Sequence, residues 1–467
     1  MARSQTDVGD IIWSTCNDGV RAGACTNCTE RAQSVTRRLA LLCPHPYRGG
    51  MLNTLRNAAV ILNGIKSNFG IDQIVLGLRT DVYPTEKLDA LRATGIEVRH
   101  CDYEPVAAKF VTRFLGSELL EGDGKRYPDY VRPVDRAGGY DFLDCEAWLF
   151  WQIFAVYPLA PLKPYGAFYA DAIPRVAPEP GRQARDPGKD PFVGAIWPYY
   201  RAQMTSLRRA NVVFSTTAKT LDDVISYVGV ARKNTLLLPH AYVPFNGPRP
   251  SRFSRLKNPY FVWPTNTSFH KNQPRALEAI KTYLEMHDGR LDIAVIGPLS
   301  DQLLTNMFDN EHIQAFKTLY ASLPPRFKKK IHLLGELSDE MVAAVFAHAE
   351  FIWQNVLYDN GTSSAMECGE FGVPTVSADY PQMRFWADTF SLEARYFNPR
   401  RPDAAAAVLK SAETERLAGT FKGRFQLPKD YEKTVQTSYQ TLVSRLLTPA
   451  ALQSEMKLPE LIRKRLQ

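Results

Sequence analysis

The chain has 467 residues, too many for a single hydrophobic core and enough for two domains of ordinary size. Hydrophobic residues make up 45% and charged residues 23%, a globular composition that excludes a disordered or fibrous protein. The formal net charge of +8 is spread along the chain, which argues against nucleic acid as a partner and suits an anionic ligand or an anionic membrane surface.

Residues 1–37 read as an N-terminal extension, rich in Thr, Asn, Cys and Gly without sustained periodicity. No apolar region of secretory type opens it, so a cytoplasmic protein is the expectation. Cys16, Cys25, Cys28 and Cys43 contain one Cys-x-x-Cys pair where a zinc knuckle needs two, so the cysteines read as reduced structural thiols and no metal is expected.

The first convincing strand is 39–42, followed by a turn ending in Gly49-Gly50 and a helix over 51–65. Residues 71–79 form a continuous apolar strand of the kind buried on both faces of a parallel sheet. A helix at 85–94 leads into a strand at 96–100. The apolar run 147–160 is too short to span a membrane and reads as a buried helix. A Pro-rich charged loop at 175–190 precedes a helix at 199–208, a strand at 211–216, a Thr-capped helix at 218–228 and a strand at 235–241. The stretch 244–258, with three prolines and four basic residues, is the clearest linker.

Beyond it the alternation restarts. Strands are expected at 260–264, 291–296, 330–334, 351–354 and 374–376, with helices at 273–286, 301–323, 338–347, 364–369 and 404–411, and a last helix at 429–447. The expected organisation is an extension (1–37), an α/β domain (38–245), a linker (246–258), a second α/β domain (259–428) and a C-terminal helical segment (429–467). A ligand crevice belongs between two such domains, outside the carboxyl ends of their parallel strands.

The most informative stretch is 357–381, LYDNGTSSAMECGEFGVPTVSADYP. Asp359 and Glu367 stand eight residues apart with a turn and a helix start between them. The amides of Gly361, Thr362 and Ser363 at that helix start would face an oxygen-rich ligand, and a carboxylate further along the helix can accept from both hydroxyls of a ribose.

This pattern resembles the family-four (glycosyltransferase group 1) retaining glycosyltransferases of the GT-B type. Their signature is an acidic residue, a Gly-containing turn, a Glu eight positions on, a Gly-x-Pro-x-Val strand and a Ser-Asp-x-Pro turn. The matching residues are Asp359, Gly361, Glu367, the run Gly372-Val373-Pro374-Thr375-Val376, and Asp379-Tyr380-Pro381; Asp359 stands where Glu is usual. The stretch 261–280 resembles the family's Lys-Asn helix entry, 331–353 its strand, glycine loop and helix, and 395–409 its Tyr-Phe-x-Pro stretch. The N-terminal half matches more loosely, through Gly49-Gly50 and 167–179, where Asp171 keeps an acidic position and Ala170 replaces the usual His.

The resemblance implies a GT-B fold, two Rossmann-like domains facing across a cleft. It implies transfer from a UDP-, GDP- or dTDP-sugar to a glycan or lipid-linked acceptor, with retention, without a metal or other cofactor, in polysaccharide or glycoconjugate biosynthesis. It gives Lys271 the donor diphosphate, Glu367 the ribose, Asp359 the donor sugar, Asp171 a sugar or acceptor contact, and the backbone near Gly335 and Leu337 the base. Gly49 and Gly50 would let backbone approach phosphate or acceptor. Asn266 stands where relatives carry an Arg, and Arg275 is the cation that would compensate. His240, at the crossover, and His270 are further candidates, each readable also as a structural histidine.

Local statistics leave other readings open. Asp359 is also a turn former before Asn360-Gly361, and Lys271 is also a solvated lysine, although a cation at a helix N-terminus is unfavourable without an anion there. A degenerate GT-B protein that binds without turnover, a nucleotide-sugar epimerase and a pyridoxal-dependent phosphorylase are the competing functions. The basic surplus and the aromatic run 148–157 permit peripheral contact with the inner face of a membrane.

Overall fold

The computed structural model describes residues 36–46, 50–115, 129–135, 141–173, 191–245, 247–305, 310–361 and 363–448. The expectations for residues 1–35 with Cys16, Cys25 and Cys28, for the loop 175–190, for Gly49 and for Thr362 lie outside the described residues.

The first half runs β1 (Arg38–Cys43), α1 (Gly50–Ile65), β2 (Gln73–Leu78), α2 (Thr85–Arg92), β3 (Glu97–His100), β4 (Asp102–Ala107), α3 (Ala108–Leu115), β5 (Asp129–Val134), β6 (Ala147–Phe150), β7 (Tyr165–Phe168), α4 (Pro191–Arg209), β8 (Val212–Ser215), α5 (Ala218–Asp223, continued by a π turn to Val228) and β9 (Thr235–Leu237). Seven of the strands form a parallel sheet in the order β3-β2-β1-β6-β7-β8-β9. The period of two along β1 shows how it is buried. Leu39, Leu41 and Cys43 enter the apolar cluster on one face, Ala40 and Leu42 the cluster on the other.

The run 147–160, expected as a helix, is instead a strand followed by an irregular segment. Ala147, Leu149 and Trp151 face one cluster while Trp148 and Phe150 face the other. A continuous apolar run cannot tell a two-faced strand from a buried helix by periodicity. The vacant edge of β1, paired from Leu39↔Ala147 to Leu42↔Phe150, decides it. The antiparallel pair β4–β5 lies outside the expected strands, because neither the half-exposed β4 nor the largely buried β5 carries a clean apolar–polar alternation.

The second half runs β10 (Tyr260–Pro264), α6 (Gln273–Glu285), β11 (Asp292–Ile296), α7 (Glu311–Ser322), α8 (Pro325–Lys328), β12 (Ile331–Gly335), α9 (Asp339–Ala347), β13 (Ile352–Gln354), α10 (Ser363–Glu370), β14 (Thr375–Ala378), α11 (Pro381–Phe390), β15 (Ala394–Phe397), α12 (Pro402–Leu417) and α13 (Tyr431–Leu447). Six strands form a parallel sheet, β12-β11-β10-β13-β14-β15, the 3-2-1-4-5-6 order of a doubly wound nucleotide-binding unit. The helix expected over 301–323 is shorter: Ser300–Gln302 is a 3-10 turn and the α-helix begins at Glu311. Helix α11 and strand β15 complete the sheet beyond the strands expected from sequence.

In each sheet the chain order reverses between two neighbouring strands, β1 and β6 in the first, β10 and β13 in the second. Loops leaving the carboxyl ends there diverge and leave a crevice. The last helix, α13, returns to the first half and packs on α1, β7 and β8. The Tyr431 hydroxyl donates to the His240 carbonyl, and the Arg445 guanidinium donates to the Thr235 carbonyl at 2.9 Å. Among the described residues no helix is long and apolar enough to cross a membrane.

Leu442 in α13 is fully buried in the cluster that the first sheet shares with this helix. Leu442→Ala is therefore expected to cost about 2–5 kcal/mol. A fall in the urea midpoint checks this; a loss below about 1 kcal/mol would mean that the helix is only loosely attached.

Candidate active site

Strand β10 ends in a polar turn whose geometry is set by buried amides. The Asn266 side chain accepts from the Ser268 amide at 2.9 Å, and the buried Gln273 side chain donates to the carbonyls of Asn266 and of Ser268, the latter at 2.9 Å. Asn266 is thus committed to its own turn. Asn272 takes the left-handed conformation, φ 56°, that Asn tolerates better than most residues, and its side chain donates to the Pro399 carbonyl at 2.8 Å. Lys271, just before it, is thereby aimed out of the helix entry.

Its partner comes from the neighbouring strand. Asp359 follows β13, and its Oδ2 accepts from Lys271 Nζ at 2.6 Å, while its Oδ1 accepts from the Asn360 amide at 2.8 Å. Both side chains are about four-fifths buried, exposed only 19% and 18%. Burial, the largest single influence, pushes the Asp359 carboxyl up, but the Lys271 and His270 charges and the hydrogen bonds from Lys271 and the Asn360 amide together hold it below the usual carboxylate range. Gly361 is required at the next turn position. Its φ is +86°, and a Cβ there would lie 2.8 Å from the Trp386 indole.

Asp171 reaches the same place from the first half, just beyond β7. Burial, opposed by the Ile173 amide, raises its carboxyl to about 6, and the Asp359 charge (raising) and Lys271 charge (lowering) both act on it. Its Oδ1 accepts from the Ile173 amide at 2.9 Å. Ala170, beside it, is buried in the apolar cluster.

Glu367 lies one turn into α10, where the Ser363 hydroxyl bonds its carboxylate. Burial still raises it to about 7, and the charges of Glu370 and Asp339 add to the shift. Gly335 ends β12 with φ +76°, its carbonyl accepting from the Gly297 amide at 2.9 Å, and Leu337 is half-buried beyond it. Gly50 is the first residue of α1. Arg275 donates to the Asn272 side chain at 3.1 Å, inside the same helix entry. Burial lowers His270 to about 3, with the Lys271 charge adding to it, and lowers His240 to about 4, so both rings are neutral near pH 7. The His240 ring centroid lies 4.8 Å from that of Trp386, which makes it a packing residue between the halves.

Sequence reasoning missed a polar seam joining the two halves at this turn. The Thr220 hydroxyl donates to Asn360 Oδ1 at 2.7 Å, and Asn360 Nδ2 donates to the Thr216 hydroxyl at 2.9 Å. The Tyr358 hydroxyl donates to the buried Asp223 at 2.5 Å, and Gln382 donates to Tyr358. The run Ser215-Thr216-Thr217 signals a helix cap, which Thr217 indeed makes with the Thr220 amide; nothing local reveals its second use. Among the described residues no three His, Cys, Asp or Glu side chains gather as metal ligands would.

A carboxyl raised from 4.5 to about 7 in the folded chain adds stability below about pH 4.5 that is lost as pH rises through about 7. Glu367→Gln is expected to abolish that slope. Urea unfolding at about pH 5 and about pH 8 should show the variant gaining on wild type at the higher pH; parallel curves would mean that Glu367 ionises normally.

No protein-family model matches the chain, and no curated protein matches it in sequence. Solved structures do. Anabaena Alr3699/HepE in complex with UDP-glucose superposes with a TM-score of 0.57 at 12% identity, covering 87% of this chain and 99% of that one. The same protein with UDP and glucose gives 0.53 at 11%, covering 92% and 99%. The apo structure of OtsA gives 0.50 at 13%, covering 89% and 100%. With two parallel sheets, each reversing its strand order once, the chain has the GT-B fold, and its structural likeness is to glycosyltransferases of that fold.

Proposed function

We propose that the chain is a glycosyltransferase that moves a sugar from a nucleotide-sugar donor to a glycan or lipid-linked acceptor, with retention and without a metal. The observation that carries this reading is the buried Lys271–Asp359 pair, placed at the switch point of the second sheet with Asp171 brought to it from the first. An ammonium has three donors, so with one on Asp359 two remain for a diphosphate. Asp359 holds the lysine in position without using up its capacity.

In this reading Glu367 takes the ribose hydroxyls and the backbone at Gly335 and Leu337 the base. The amides at the start of α10 and Lys271 take the diphosphate. The bond from the anomeric carbon to the departing phosphate oxygen breaks as the acceptor oxygen bonds to that carbon on the same face. The acceptor proton passes to the phosphate oxygen that leaves. Lys271 stabilises the negative charge that develops there, so catalysis is positioning plus electrostatics. Asp171 and Asp359 line the sugar. The work belongs to polysaccharide or glycoconjugate synthesis in the cytoplasm, at the inner face of a membrane when the acceptor is lipid-linked. Because HepE is seen with UDP-glucose, UDP donors are the first to try.

A second reading, binding without turnover, is favoured by Ala170, which offers no imidazole beside Asp171, and by Asn266, which is tied into its own turn. One experiment separates the two. Ligand at about a hundredfold Kd adds roughly 2.7 kcal/mol of stability, a clear thermal shift. A panel of UDP, GDP, dTDP and CMP with their common sugars should give one shift in wild type that is lost in Lys271→Ala and Glu367→Ala, each compared with its own ligand-free melting temperature. Binding with slow release of free nucleotide and sugar in the absence of acceptor supports turnover. Binding with neither hydrolysis nor transfer across an acceptor panel selects the second reading, and silence across the nucleotide panel overturns the donor site.

A further inference from the structure

We propose that Asn360 is a positioning residue: through Thr216 and Thr220 it locks the turn carrying Asp359 to the opposite half of the molecule. The inference rests on the transferase reading for its kinetic consequence but not for its structural one.

The three consecutive residues of the turn are held by three different parts of the fold. Asp359 is tied to the β10 side by Lys271, and Gly361 is wedged against Trp386 of α11. Asn360, between them, points its amide into the first half. Its Oδ1 accepts from Thr220 and its Nδ2 donates to Thr216, so both ends of the amide dipole are used. The threonines are themselves fixed. The Thr217 hydroxyl donates to the Thr220 hydroxyl at 2.9 Å and caps α5 by accepting from the Thr220 amide at 3.2 Å. The partners are buried hydroxyls, so a vacated bond there is not simply handed to bulk water.

The same peptide unit links the seam to the charged pair. The Asn360 amide donates to Asp359 Oδ1, so a shift of the Asn360 backbone moves the carboxylate that orients Lys271. Below it, Tyr358 bonds Asp223 of the first half, and Gln382 bonds Tyr358 and, at 3.4 Å, Thr220. Separation of the two halves cannot leave this turn as it is. The carboxylate–ammonium geometry and the approach of the halves form one equilibrium, in which the charged pair is fully aligned only when the threonines are engaged.

The test uses the full chain with Thr220→Val, which keeps shape and removes the hydroxyl, and Thr220→Ser, which restores it; Thr216→Val is the second lesion. Hydrogen exchange followed by mass spectrometry should show faster exchange in peptides covering 355–366 and 214–224 in both Val variants, and wild-type protection in Thr220→Ser. With UDP-glucose turnover as the assay, kcat should fall by about a hundredfold in the Val variants, the effect of a small misplacement of catalytic groups, with UDP affinity by calorimetry little changed. A lesion that only destabilised the fold would speed exchange throughout the chain and would leave kcat per folded molecule intact. Unchanged exchange at both segments, or exchange that rises equally everywhere, overturns the proposal. Should wild type turn over no nucleotide sugar, the transferase reading fails by itself and the exchange result alone decides the seam.

Discussion

A largely buried ammonium is costly without an opposite charge beside it, and the candidate site is arranged around that demand. Lys271 and Asp359 lie 88 residues apart in the chain and 2.6 Å apart in the fold. They meet because β10 and β13 are neighbours in the second sheet although six helices and strands separate them in sequence. Each residue follows the carboxyl end of its strand where the order reverses, and the two side chains meet across that point. Removing one partner would leave the other buried and unpaired, which costs far more than losing a surface ion pair.

The other features follow from keeping that pair in place. Asn272 in its left-handed conformation and the buried Gln273 hold the lysine turn, Gly361 lets the aspartate turn close on Trp386, and the threonine seam brings in the first half. Asp171 then shares a site with two charges of opposite sign, one raising its carboxyl and one lowering it. The helix α13 serves the same end from behind, crossing back to pack on the first sheet and tying the two halves into one continuous apolar cluster.

Much of the fold was legible because its parallel strands are buried on both faces and read as unbroken apolar runs separated by helices. Residues 39–42, 260–264 and 291–296 needed only that rule. It failed at 147–160, where the same apolar run served equally well as helix or strand and the free edge of β1 chose. It was silent about β4 and β5, which carry neither an unbroken apolar run nor a clean alternation. Asp359 and Glu367 stood out by their spacing around a turn and a helix start, and Lys271 through its resemblance to the family's Lys-Asn helix entry. Asn360, Tyr358 and Thr220 did not, because a hydroxyl or an amide in a turn has many ordinary uses.

By itself the sequence determined the alternating α/β character, the two-part arrangement of the apolar runs, and the residue types able to hold an anionic, hydroxyl-rich ligand. These depend on composition and spacing, which are local. The tertiary structure alone decided which charges are neighbours, which carboxyls are raised and which lowered, and that the Asp359 turn is held by both halves. Those outcomes depend on burial and on strand order. A carboxylate's state is set by what surrounds it within a few ångströms, and here the surroundings come from strands far apart in the chain.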